Sequence, residues 1–98
     1  MEKELDVEYL RNILSFTNFH IVERAHGFHI FNIISKKPEE SVPVQFDITI
    51  NEEASEQIKC KVAYVDKTTN TWMRGRAIHA TGKVEFAKQL IYFLLWIN

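Results

Sequence analysis

The chain has 98 residues, of which 46% are hydrophobic, with 12 Lys and Arg against 13 Asp and Glu. That is length and apolar content for one globular core and too little for two, so a single domain spanning residues 1–98 is expected. One Cys excludes an intramolecular disulfide framework and a Cys-rich zinc site.

The first element is a helix expected over residues 6–17. Leu10, Ile13 and Leu14 form an apolar stripe, with Tyr9 and Phe16 beside it. Asp6 is the expected N-cap, because its carboxylate can accept a hydrogen bond from a free N–H of the first turn. Leu5 and Leu10 then take hydrophobic-staple spacing.

A hairpin comes next. Phe19 to Ala25 and Phe28 to Ser35 read as strands closed by a turn at His26-Gly27, where Gly supplies positive φ. The return strand is apolar at Phe28, Ile30, Phe31, Ile33 and Ile34, which predicts burial on much of both faces. Lys36 to Ser41 is a polar loop.

The third strand alternates strictly. Val42, Val44, Phe46, Ile48 and Ile50 face in, while Pro43, Gln45, Asp47 and Thr49 face out. Ile58, Cys60, Val62 and Tyr64 repeat the pattern in a fourth strand, with Lys59 and Lys61 outward. Asp66 to Thr69 is a turn, and the fifth strand spans about Asn70 to Ala80.

A final helix starts at Thr81 or Gly82. Ala87, Leu90, Ile91 and Leu94 lie on one stripe, and Phe86, Phe93 and Ile97 on a second. Tyr92 and Trp96 widen the belt until it is apolar nearly all round. So small a domain cannot surround such a helix. Part of the belt must meet another surface or stay exposed.

The order α-β-β-β-β-β-α, with short connections, predicts an α+β domain. Its five strands form an antiparallel meander, with the C-terminal helix packed on one sheet face. The longest unbroken apolar run, Leu90 to Ile97, is far below the roughly 20 residues of a membrane span. The opening Met1-Glu2-Lys3-Glu4 lacks the apolar core of a signal peptide. A cytoplasmic protein without a membrane partner is expected.

Motifs for catalysis are missing. There is no nucleophile elbow, phosphate-cradling glycine loop or HExxH. Cys60 falls on an inward position, where a thiol is poorly reactive. His26 with His29, and His20 with Glu23, have metal-like spacing, but a site needs three or four ligands. His79 has no identifiable partner. No metal or cofactor is expected, and the expected class is not an enzyme.

The charge is uneven. Residues 1–56 carry five Lys/Arg against eleven Asp/Glu, a sum of -6, and residues 57–98 carry seven against two, a sum of +5. A turn at Asp66–Thr69 sets Lys61 opposite Arg74 and Lys59 opposite Arg76, with Trp72 at the margin of the same face. Opposed cations repel. Kept beside a Trp, they suit an anion: phosphates on Lys and Arg with a base stacked on Trp, or an acidic protein patch. The plainer reading is a solvated face whose aliphatic stems cover the strands.

The second candidate surface is the last helix, where Leu90, Phe93, Leu94, Trp96 and Ile97 can form either core or a homodimer interface. These readings give a non-enzymatic protein-interaction module, an adaptor, inhibitor or small chaperone acting as a homodimer on another protein. The alternative is a single-stranded nucleic-acid binder using Lys59, Lys61, Trp72, Arg74 and Arg76. A small-ligand carrier, with its site between the sheet and the last helix, is third.

Overall fold

The computed structural model describes residues 5–15, 19–32, 43–66 and 68–97. Its first element, α1, runs Val7–Ile13. The Asp6 carboxylate accepts from the Tyr9 N–H at 2.8 Å, so the expected cap forms. Leu5, Leu10 and Leu14 are all buried. The helix ends earlier than its apolar stripe, at a turn through Leu14 and Ser15.

The strands are β1 Phe19–Arg24, β2 Gly27–Asn32, β3 Val44–Ile50, β4 Ile58–Asp66, β5 Thr71–Arg74 and β6 Ile78–Ala80, and the last element is α2 Lys83–Ile97. They form one antiparallel sheet in the order β1-β2-β3-β4-β5, with β6 also paired to β4. The fold is α+β, as expected. The sequence reading for residues 33–42 lies outside the described residues.

Alternation in β3 and β4 decides which face is core. Val44, Phe46, Ile48, Ile58, Cys60 and Val62 are buried, and Gln45, Asp47, Thr49, Lys59 and Lys61 are exposed. The expected pairing holds, with Asp47 opposite Lys61 and Thr49 opposite Lys59. Both helices pack on the buried side, where Leu10, Leu14, Phe86, Leu90 and Leu94 join the same cluster as Ile30 and Phe46. Tyr9 ties the helices together: its hydroxyl donates to the Lys83 carbonyl at 3.5 Å, and the Lys83 amine lies 4.9 Å from its ring centre.

Three expectations are corrected. First, the hairpin turns at Ala25-His26, since Arg24 pairs with Gly27. Gly27 has no positive φ. It is buried, and a Cβ there would collide with the Ile48 backbone carbonyl. The glycine therefore serves close approach of β2 to β3, not turn geometry.

Second, the β4–β5 turn lies one residue later. Asn70 takes φ 55°, the left-handed region that Asn tolerates. The Thr68 N–H donates to the Asp66 carboxylate, and the Asn70 N–H to the Asp66 carbonyl, both at 2.7 Å. Asp66 then pairs with Thr71 and Ala63 with Arg74. Moving the turn by one residue moves the register by two, so each side chain keeps its face but changes its neighbour. The opposed pairs Lys61–Arg74 and Lys59–Arg76 do not form. Lys59 pairs with His79 instead.

Third, the expected fifth strand is broken in two. Gly75 donates its N–H to the Val62 carbonyl at 2.9 Å, whereas Cys60 already pairs with Ile78. Arg76 and Ala77 thus stand against the single residue Lys61, which is a β-bulge. The extra residue switches the inward set, so that Ile78 and Ala80 are buried and His79 is exposed.

The α2 start is fixed by Glu85. Its carboxylate accepts from the Thr81 hydroxyl at 2.8 Å and the Thr81 N–H at 3.2 Å. These bonds hold the Glu85 carboxyl below its ordinary pKa.

Phe46→Ala should cost about 3–5 kcal/mol in denaturant unfolding, and Asp47→Ala under about 1 kcal/mol, because they lie on opposite faces of one strand. Equal losses would contradict the alternation. Gly27→Ala should exceed Gly75→Ala, with overpacking at roughly 1–3 kcal/mol. The first meets fixed backbone; the second meets the Phe93 ring edge at 3.1 Å, which can shift.

Candidate binding groove on the open sheet face

With both helices on one side, the other face of the sheet carries no helix among the described residues. The registers define what it presents. One row across the strands reads His20, Phe31, Gln45, Ala63 and Arg74. The next reads Val22, His29, Asp47 and Lys61, and a third reads Arg24, Gly27, Thr49, Lys59 and His79. Trp72 stands opposite Val65 at one end.

This face carries a groove at its β4–β5 end. The groove, of about 680 Å³, is lined by His29, Gln45, Asp47, Lys61, Trp72 and Arg74, with Ala63 on its floor. A bulge raises local twist, and the small side chains of Ala63 and Ala77 leave the groove open. The volume falls within the range of small-ligand sites, about 300–1,000 Å³.

Aromatic side chains flank the groove on both sides. Trp72 is 52% exposed on β5. On β1 and β2, the Phe31 ring lies 5.3 Å from that of His20 and 5.7 Å from that of His29, centre to centre. Lys61 stands between them on β4 and Arg74 beside Trp72 on β5, neither in an ion pair among the described residues. Asp47 is the one carboxylate in the three rows, against Arg24, Lys59, Lys61 and Arg74.

Of the residues expected on a basic face, the structure brings Lys61, Trp72 and Arg74 together in the groove. Lys59 is on the same face beside His79, outside the groove. Arg76 is exposed within the bulge and does not line the groove. Alternation alone does not single out His29, Phe31 and Gln45 as site residues. The register of β2 on β3 does, since it puts His29 beside Asp47 and Phe31 beside Gln45.

The expected helix interface divides. Leu90 and Leu94 are enclosed in the core, so they are not free to meet a partner in this fold. Phe93 and Ile97 pack partly buried against that core. Trp96 alone of the five is exposed, next to exposed Tyr92 and Leu95. The layer between sheet and α2, where a carried ligand would sit, is filled by Phe46, Phe86, Leu90 and Phe93.

Cys60 lies under the groove floor. Burial, and secondly the charge of Asp47, push its thiol up from 9.0 to about 12, and the thiol donates to the Lys61 carbonyl at 3.7 Å. That thiol is no nucleophile. Among the described residues, no group of three or more His, Cys, Asp or Glu is placed to hold a metal ion. No helix among them is long and apolar enough to cross a membrane.

Comparison with protein-family models, with curated proteins and with solved structures gives no significant match.

Native protein at pH 8 should leave Cys60 unmodified by a thiol reagent for hours, and react at once in denaturant; rapid native labelling would refute its burial. The stability owed to the neutral buried thiol is complete below the ordinary pKa of 9.0 and falls as pH rises toward about 12. Cys60→Ala should flatten that alkaline decline in thermal melts.

Proposed function

We propose that the protein is a non-enzymatic binding module that holds an anionic partner on its open sheet face. The observation that supports this reading is the groove itself: Lys61 and Arg74 face solvent without ion pairs among the described residues, beside a half-exposed Trp72. A cation kept unpaired and solvent-exposed costs little in water and stays available to an incoming anion. Charge-assisted hydrogen bonds then contribute about 1.5–3 kcal/mol each. Lys59 and Arg24 on the flanks add long-range attraction that falls with salt.

The test is retention on immobilised heparin, a generic polyanion. Arg74→Glu should elute at clearly lower salt than the parent. Lys88→Glu makes the same charge change on an exposed position of α2 and should shift elution far less. Equal shifts would mean that net charge, not this face, does the binding.

A second reading is self-association through the end of α2. Tyr92, Leu95 and Trp96 are each about two-thirds exposed or more, at 72%, 68% and 69%. Three large apolar side chains adjoining on a small domain favour a buried partner surface. Under this reading the parent sediments at twice the chain mass at tens of micromolar, and Trp96→Lys sediments as a folded monomer. A monomeric parent would remove this reading and leave the groove unaffected.

A further inference from the structure

We propose that the groove binds single-stranded nucleic acid, an assignment that rests on the open face being an anion-binding surface. One base stacks on Trp72 with its hydrogen-bonding edge toward Gln45, a neighbouring base meets Asp47 further along the floor, and the phosphates lie against Arg74 and Lys61.

The decisive residue is Asp47. A groove meant for an acidic protein segment gains nothing from a carboxylate in its centre, which would repel every Asp or Glu the partner offers. A nucleobase is different. It is neutral, its exocyclic amine donates to a carboxylate, and its charge is carried outside the ring on the phosphates. The arrangement here matches that division: Asp47 and the Gln45 amide at the floor with Lys61 beside Asp47, and Arg74 and the indole on the edge strand. Ala63 between them leaves the floor low enough for a ring to enter.

A second platform extends the site across the sheet. Phe31 shares a row with Gln45, Ala63 and Arg74, and its ring is flanked by those of His20 and His29. It stands on β2, three strand spacings from β5, about 14 Å at the usual separation of neighbouring strands. That is too far for one base to touch both, so Trp72 and Phe31 serve different bases of one strand. The exposed cations between and beside them track the backbone. An open, shallow face accepts splayed single strands, and a base buried in a duplex cannot reach its floor.

The carboxylate also predicts a preference. Cytosine presents an amine to Asp47; thymine presents a carbonyl there. The test uses the full chain carrying Trp96→Phe, so that Trp72 is the only indole. Oligo(dC) and oligo(dT) 12-mers are titrated at several salt concentrations, with poly-glutamate as the competing polyanion. The expected result is quenching of Trp72 and an affinity that falls with salt. Oligo(dC) should bind more tightly than oligo(dT), and Asp47→Ala should bring the two together. Arg74→Ala should weaken both more than tenfold, with its melting temperature unchanged. Trp72→Ala, probed by anisotropy of a labelled oligonucleotide, should also weaken both, by about fivefold to a hundredfold, the range that loss of a stacked base at roughly 1–3 kcal/mol gives.

Oligonucleotide binding that ignores both Trp72→Ala and Arg74→Ala would overturn the proposal. So would equal affinity for oligo(dC) and oligo(dT) in the parent. If poly-glutamate binds through Arg74 and oligonucleotides do not, the nucleic-acid assignment fails while the anion-binding reading stands. If neither binds, both fail.

Discussion

Phe46 is the constraint on which this structure turns. It is fully enclosed on the central strand, with its ring 5.9 Å from Phe19 of β1 and 5.8 Å from Phe93 of α2. One side chain thereby joins an edge strand, the middle of the sheet and the C-terminal helix. Its position also commits β3. With a side-chain period of two, Val44 and Ile48 must share its face, and Gln45, Asp47 and Thr49 must take the other. The helices pack on the apolar face because only there does their own apolar stripe leave water. That the outer face carries no helix among the described residues is therefore a consequence of where the core lies.

The bulge at Arg76-Ala77 reconciles two requirements at the sheet edge. Ile78 and Ala80 must be buried under α2, while Arg74 and Trp72 stay outside. Both pairs have even numbers, so a regular strand would place all four on one face. An inserted residue separates them. Gly75, just before the bulge, lets the Phe93 ring press close to Val62 and the edge strand. Further along, the Gln89 amide donates to the His79 carbonyl at 3.0 Å, which occupies an acceptor that an edge strand would otherwise offer to another chain.

Most of the architecture was legible where a period was unbroken. Alternation through β3 and β4 specified both strands, their buried residues and their mutual register. Asp6 was legible because a cap is a local matter of one side chain and one N–H. The bulge was not. Ile78 and Ala80 have the right residue types for core, but reading them so requires giving up the single strand that Met73, Gly75 and Ala77 suggest. The turn lies one residue from its expected place because Asn70, a strand position by count, prefers the left-handed conformation that ends a turn. Lys61, Trp72 and Arg74 of the groove follow from alternation alone. His29 and Phe31 do not, because a return strand rich in apolar residues reads as buried on both faces. Phe31 is only partly buried, and the face it occupies is the open one. For the five-residue helix stripe the sequence reading left core and interface open. A belt that is apolar all round does not say which third of it the sheet will cover, and the sheet covered Leu90 and Leu94.

The register also sets the electrostatic cost of the cations. Were Lys61 opposite Arg74 and Lys59 opposite Arg76, the face would carry two directly opposed like-charge pairs, each destabilising by a few tenths of a kcal/mol. The observed pairing sets Arg74 against Ala63 and Lys59 against His79, with Asp47 next to Lys61. The positive charge remains on the face, and the direct repulsion is largely removed. The face thus collects its charge at almost no cost to folding. None of these side chains belongs to the core cluster, so core packing does not fix their identities. That separation, with the core on one face and exposed polar and charged side chains on the other, is the condition under which a small domain can carry a binding surface and remain folded.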